Sequence, residues 1–321
     1  MTVRPLEPEA LPALAPMLGR YPYHDYRHYP RFSAESRTRV LLHELEAARA
    51  RGTALAVWAG EDAVGAGYVE PMPWDSAYFG VPMGKLALLP DPRVSALEIL
   101  DPLLDALLEA AGRAGLRHLS VKLDCGHLDA VQALEGRGFR LMDCLLTYLC
   151  DCHRDPVPEV KRMARVREYQ PEDRDAVVAI AERMYQDYAG RFTRDPWLPP
   201  GLVRRFYVEW VRNACAGQMA DRLLVGERGG RVVSFLAYRR IPSVFESTGI
   251  RIAGQGISAV LPEGVGSYPS LLATAIAKDR VVTYDFAEFD TPIENTLPQR
   301  VFQKMGFRLV RSKYTLHRGA A

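Results

Sequence analysis

No stretch of this sequence stays apolar for long. Its most hydrophobic segments, "LALLP" and "LLDALLEAAG", are broken by proline or acid, well short of the roughly 20 residues that cross a bilayer. The opening residues, "MTVRPLEPEALP", put acids and prolines where a secretory leader needs an apolar run. A cytoplasmic protein with no membrane partner is expected. An excess of one charge is lacking too. The 41 Lys and Arg stand against 39 Asp and Glu, a net charge of +2, so no bulk field draws nucleic acid or anionic lipid. Cysteines are five, an odd number in a chain of 321 residues, which argues against a disulfide framework. Clustered metal ligands are lacking as well. "CDCH" at 150–153 has no partner cluster and reads as a strand end. His24 and His28 are four apart, but Pro22 and Pro30 keep them off a shared helix face. No metal is expected.

What is present is a balance of 48% hydrophobic and 25% charged residues in a chain long enough for two ordinary domains. It also carries an echo. Gly138-Phe139-Arg140-Leu141 recurs as Gly306-Phe307-Arg308-Leu309, an offset of 168 that Thr147 and Thr315 share. The second half reads as a strand and a helix through "REYQPEDRDAVVAIAERMYQDY", a helix through "LVRRFYVEWVRNACAG", and two strands around Gly229-Gly230. A third β run, "GISAVLP", is followed by a helix over 267–278, a strand over 281–289, a short helix stopping at Gly306, and a closing strand. The first half repeats this order, so the echo marks one corner in two copies of a domain. Domains over 1–152 and 164–321 are expected, joined by a linker over 153–163. The fold class is α+β, each copy a mixed, mostly antiparallel sheet flanked by helices.

This order of elements, with "KMGF" before the last strand, resembles the GNAT N-acetyltransferases. "RFTRDPWLPPGLVRRFYVEWVRNACAG", "WDSAYFGVP" and "ALEGRGFRLMD" resemble the tandem-domain branch that acetylates nucleotide-linked amino sugars. The resemblance implies an enzyme using acetyl-CoA as co-substrate, acting on the primary amine of a small molecule, as a monomer or homodimer. Acceptor loops vary freely on this fold, so another small amine as acceptor, or a catalytically weak acyl-CoA-binding protein, stays open.

The residues themselves point to "AVLPEGVGSYPS" as the co-substrate site. Glycines let backbone N–H groups approach a pyrophosphate, and the helix start adds partial positive charge. Gly264, Val265, Gly266, Ser267 and Tyr268 are expected there, although Leu261 stands where the family has Gln or Arg. The first copy's equivalent, "LLPDPRVSALEIL", has no glycine, and Asp91 would repel phosphate, so one site per chain is expected. By the resemblance, main-chain N–H groups of the strand holding Ala259 and Val260 meet the oxyanion, and Asn295 reaches the pantetheine or phosphate arm; helix capping is its other role. Its counterpart at the 168 offset is His127. Phe302 stands where the resembling enzymes have the tyrosine that protonates the leaving thiolate, leaving that task to water, Tyr268 or Tyr314. Glu288 and Asp290 share a strand face by period two and are candidates to take the amine's proton. Arg191 and Arg194 suit a diphosphate and Trp197 a sugar or base face. The aromatic and basic stretch over 21–32 could stack single-stranded bases, but in a near-neutral chain it reads better as the equivalent acceptor-side loop.

Overall fold

A computed structural model describes residues 1–282 and 284–319. The chain divides into two compact units. Unit 1 comprises Met1–Cys144, Arg194–Pro199 and Arg311–Ala321, and unit 2 comprises Leu145–Thr193 and Pro200–Val310.

The first 151 residues supply β1 (Thr2–Pro5), α1 (Leu11–Arg20), α2 (Ala34–Arg51), β2 (Thr53–Ala59), β3 (Asp62–Pro71), α3 (Pro73–Phe79), β4 (Met83–Pro90), α4 (Ala96–Arg113), β5 (His118–Asp124), α5 (Leu128–Glu135) and β6 (Arg140–Asp151). Then come β7 (Arg165–Glu168), α6 (Arg174–Met184), α7 (Pro200–Val203), α8 (Phe206–Cys215), β8 (Arg222–Arg228), β9 (Arg231–Arg240), α9 (Pro242–Thr248), β10 (Ile252–Val260), α10 (Ser267–Val282), β11 (Phe286–Pro292), α11 (Thr296–Lys304) and β12 (Arg308–Gly319).

Within unit 1 the sheet runs β1-β2-β3-β4-β5-β12. Its strands are antiparallel except for β4 and β5, parallel from Met83↔His118 to Leu86↔Val121. The period-two pattern of these strands feeds two cores. Leu86, Leu88, Val121 and Leu123 bury against Leu103, Leu104 and Leu107 of α4, and Ala54, Ala66, Tyr68 and Leu89 bury against Leu14, Leu18, Leu41 and Leu45 of α1 and α2. Each leucine so enclosed contributes roughly 1.5–3 kcal/mol. Ser33 starts α2 by accepting the Ser36 N–H at 3.0 Å.

Within unit 2 the order is β6-β11-β10-β9-β8-β7. One face is covered by α6 and α8, through Val177, Ile180, Val208 and Val211 packed on Val225, Phe235, Ala237 and Ala259. Strands β10 and β11 are parallel for only two residue pairs, Ile252↔Phe286 and Ala253↔Ala287. A bulge between Gly254 and Ile257, with Gln255 at φ +51°, then turns β10 away and leaves one edge of its second half unpaired by β11.

The division into units differs from the expected 1–152 and 164–321. The two copies have traded their ends. Residues Leu145–Asp151 of β6 pair with β11 in unit 2, while Lys313–Gly319 of β12 pair with β5 in unit 1. The strand expected over 281–289 starts only at Phe286. Val281 and Val282 end α10, whose buried Leu271, Leu272, Ala275 and Ile276 override the β preference of paired valines; Thr283 lies outside the described residues. Helices α3 and α9, between the third and fourth strand of each copy, were not expected. Each has proline in its first turn and a left-handed glycine after it, Gly80 and Gly249.

Candidate active site

The splay between β10 and β11 forms the candidate site. Leu261 N–H bonds to Val233 O of β9 at 2.9 Å, and antiparallel pairing alternates. Ala259 therefore also faces β9, and its N–H is unavailable to a ligand, contrary to expectation. The N–H and C=O groups of Ser258 and Val260 face the splay instead. Val260 keeps its expected place, and Ser258 joins it.

Beyond β10 the chain makes a tight turn. Gly264 N–H goes to Leu261 O at 2.8 Å and Val265 N–H to Pro262 O at 3.3 Å. These two amides serve the turn and not a phosphate. Gly264 is needed for packing, since a Cβ there would lie 2.9 Å from Val233 O, and the Val265 side chain is 68% exposed. Gly266 has φ +90°, a conformation that favours glycine, and opens the sixteen-residue α10. The first amides of a helix have no intrahelical acceptor, so the amides this loop leaves available to an anion are those of Gly266, Ser267 and Tyr268. Ser267 can offer only its backbone, because its buried hydroxyl is bonded to Ser234 Oγ at 2.8 Å.

Two tyrosines converge on Ser258. Tyr185 donates its hydroxyl to Ser258 O at 2.7 Å. The Tyr268 hydroxyl bonds to the Ser258 side chain, and burial pushes its phenol up to about 12, so it stays protonated through neutral pH. The Tyr268 ring lies edge-on to Phe302 at 6.0 Å. Phe302 is 1% exposed and packed among Tyr148, Phe289 and Phe307. Of the substitute proton donors considered, Tyr268 is in this unit's splay and Tyr314 belongs to unit 1.

Glu288 and Asp290 share a face of β11 as expected, but their surroundings differ. Asp290 is exposed and accepts the Thr147 hydroxyl at 2.6 Å. Glu288 is 4% exposed and leans over Gly254 where the strands part. A Cβ on Gly254 would lie 2.8 Å from Glu288 Cγ and 3.2 Å from Oε1. Asn295 stands at the N-cap of α11 without a side-chain cap bond, so capping does not use its amide.

The three residues expected at the acceptor do not stay together. Arg191 belongs to unit 2, its guanidinium 4.4 Å from the ring of Phe192. Arg194 and Trp197 belong to unit 1. There Arg194 donates to Met142 O at 3.2 Å, and Trp197 packs on Gly319, with Arg140 5.3 Å from its ring. Trp197 is an anchor for its segment.

Asp195 between them is held by a node that sequence reasoning missed. Its Oδ2 accepts from His118 Nε2 and His317 Nδ1, both at 2.6 Å, and its Oδ1 accepts the Trp197 N–H at 2.9 Å. All three side chains are at most 1% exposed. Two nitrogens 2.6 Å from one oxygen are hydrogen-bonded to it; ligands about 2 Å from a shared zinc would stand farther apart. Burial alone would raise the Asp195 carboxyl, but the two imidazoles outweigh it and hold it well below the usual range. These residues lie far apart in the chain, so no spacing could have announced them.

Unit 1 differs at both of the corresponding places. Asp91 N–H bonds to Val64 O as Leu261 N–H bonds to Val233 O, so Asp91 stands at the start of the corresponding turn. It is fully buried between Arg20 and Arg93, at 2.6 and 3.0 Å. Burial opposes its charge, and hydrogen bonds from the two arginines overcome this to bring it down to about 2. Where unit 2 has Gly254, unit 1 has Lys85, paired with Glu70 at 3.0 Å.

No family model matches the chain. It is 24% identical over 194 residues to the dTDP-fucosamine acetyltransferase of Escherichia coli, covering 60% of this chain and 76% of that one. A GCN5-related N-acetyltransferase from Sphaerobacter thermophilus superposes with a TM-score of 0.64 at 14% identity, covering 99% of this chain and 95% of that chain. A tandem GNAT protein from the clavulanic acid biosynthesis pathway gives 0.57 at 14% identity, covering 100% and 98%. A glucosamine N-acetyltransferase region of a fungal β-N-acetylglucosaminidase gives 0.62 at 14% identity, covering 99% of this chain and 38% of that one. The fold is that of tandem GNAT acetyltransferases. Among the described residues no helix is long and apolar enough to cross a membrane.

Proposed function

We propose that unit 2 transfers the acetyl group of acetyl-CoA to the primary amine of a small molecule, an amino sugar and in particular a nucleotide-linked one. The observation that carries this reading is the convergence, in one splay, of outward N–H groups on β10, a glycine-opened helix start, a buried carboxylate and a protonated phenol. The Gly266–Tyr268 amides receive the co-substrate's pyrophosphate. The Ser258 and Val260 amides line the thioester arm and stabilise the oxyanion as the amine attacks. Glu288 accepts the amine's proton, directly or through water. Tyr268 gives a proton to the departing thiolate, the role Phe302 cannot fill. In this reading unit 1 carries no such site, because its corresponding turn has no glycine and opens on Asp91, a buried carboxylate already tied to Arg20 and Arg93.

The test is thiol release from acetyl-CoA with a panel of amino sugars, nucleotide amino sugars, aminoglycosides and polyamines, comparing wild type, Tyr268→Phe and Phe302→Tyr. Tyr268→Phe should lower kcat up to about 100-fold, the low end for general-acid help, with acetyl-CoA affinity unchanged. Phe302→Tyr in that background should restore part of the loss. Acetyl-CoA binding without transfer to any amine would replace the enzyme reading with a binding protein.

A further inference from the structure

Arg239 is the last but one residue of β9. It pairs directly with Gly254 across the β9–β10 ladder, and directly paired residues project to the same face. That face is covered by α6 and α8, and it is the one over which Glu288 leans, in the space that Gly254 leaves by having no side chain. Arg239 and the proposed base therefore flank one glycine. The Arg239 Nε donates to Gln255 Oε1 at 2.7 Å, and among the described residues Arg239 pairs with no carboxylate. The bond fixes the guanidinium plane and leaves both terminal nitrogens to donate. Gln255 makes it from a left-handed backbone, φ +51°, a strain that proteins keep where the geometry has a use. Next along the strand, the Arg240 guanidinium lies 4.4 Å from the Phe245 ring, while its backbone N–H donates to Asp221 Oδ2 at 2.7 Å. Unit 1 shows the alternative. Its corresponding pair, Glu70 and Lys85, neutralises itself at 3.0 Å.

We propose that Arg239 is the anion-binding residue of the acceptor site, so that the molecule acetylated carries a phosphate or carboxylate beside its amine. This rests on the reading of unit 2 as an acetyltransferase. A planar guanidinium with two terminal nitrogens free binds either anion in bidentate fashion. The diphosphate of a nucleotide sugar and the carboxylate of an amino acid are the two sources.

The experiment compares three acceptors with wild type, Arg239→Gln and Arg239→Lys: a thymidine-diphosphate-linked amino sugar, the same amino sugar free, and glutamate. Charge-assisted hydrogen bonds of this kind correspond to about 10–100-fold. Arg239→Gln should lower kcat/KM by that factor for one anionic acceptor and leave the free amino sugar and acetyl-CoA affinity unchanged. Arg239→Lys should recover only part, because the bidentate geometry is lost. The anionic acceptor affected identifies the source. Equal use of free and anionic sugars by the wild type, or equal losses on both in Arg239→Gln, would overturn the proposal. Calorimetry with pyrophosphate and with malonate separates it from the activity reading. If no amine is acetylated, the acetyltransferase reading fails, while binding of either anion that Arg239→Gln abolishes still supports the anion site. Binding of neither anion overturns it.

Discussion

Glu44 allows a sharp test of how unit 1 was altered from its twin. It falls in the inward row of α2, between Val40 and Ala48, both essentially buried. The groups around it are Asp25 and Glu70, which repel its charge, Lys313 and Lys85, which favour it, and Tyr68. Lys313 is engaged with Asp25 at 2.5 Å and Lys85 with Glu70 at 3.0 Å. Burial first, then Asp25, raise the Glu44 carboxyl from 4.5 to about 7. A carboxyl raised on folding holds its proton more tightly in the native state, so stability is full below about 4.5 and declines as pH rises to 7. At 1.36 kcal/mol per tenfold the whole change would be about 3 kcal/mol. Glu44 is only partly buried, and solvent screening leaves roughly 1–2 kcal/mol. Glu44→Gln keeps the shape and removes the charge. It should stabilise unit 1 by roughly 1–2 kcal/mol at pH 8 and by little at pH 5. Urea unfolding of both proteins at the two pH values is the measurement. An equal effect at pH 5 and pH 8, or a loss at pH 8, would refute the reasoning, because either would mean that the carboxylate is satisfied when ionised.

Gly266→Asp should weaken acetyl-CoA binding more than tenfold by calorimetry, through a strained left-handed backbone and a negative charge at the start of α10. Gly266→Ala should reproduce only the strain, and equal losses in the two variants would remove the electrostatic part. Asp195→Asn takes the charge from the two-histidine node and should destabilise unit 1 by about 3 kcal/mol in denaturant unfolding. The Asp195 carboxyl is depressed on folding, so its contribution is present above about pH 4 and lost as pH falls below it. The variant should show a shallower acid limb, and an unchanged one would contradict the node's role.

The duplicated α+β order was legible because it rests on local signals: the Gly229-Gly230 turn, the amphipathic spacing in α6, and the Gly-Phe corner before each last strand. The exchange of those last strands was not legible. Thr147 and Thr315 stand at equivalent places, and nothing local tells a strand which of two similar sheets to complete. The turn proposed for the co-substrate was picked out by its glycines, while the internal use of the Gly264 and Val265 amides depended on hydrogen bonds to Leu261 and Pro262. Ala259 failed because alternation along β10 fixes which amides face outward, and a sequence does not carry that phase. Arg194 and Trp197 were assigned to the copy they are written in, but Asp195 draws their segment into unit 1, to His118 and His317. Arg239 was unremarkable until its pairing with Gly254 was known.

The traded ends also bear on the order of events during synthesis. The first unit lacks its edge beside β5 until Arg311–Gly319 has been made, so most of the second unit must be translated before the first can close. Domains made in sequence generally fold one after another, and here that option is removed. A nascent chain of the first 200 residues would present an unpaired β5 edge, a known route to aggregation. Expressing either half alone would yield a domain with the wrong last strand attached, whereas a split chain should recover its fold only when both pieces are present together.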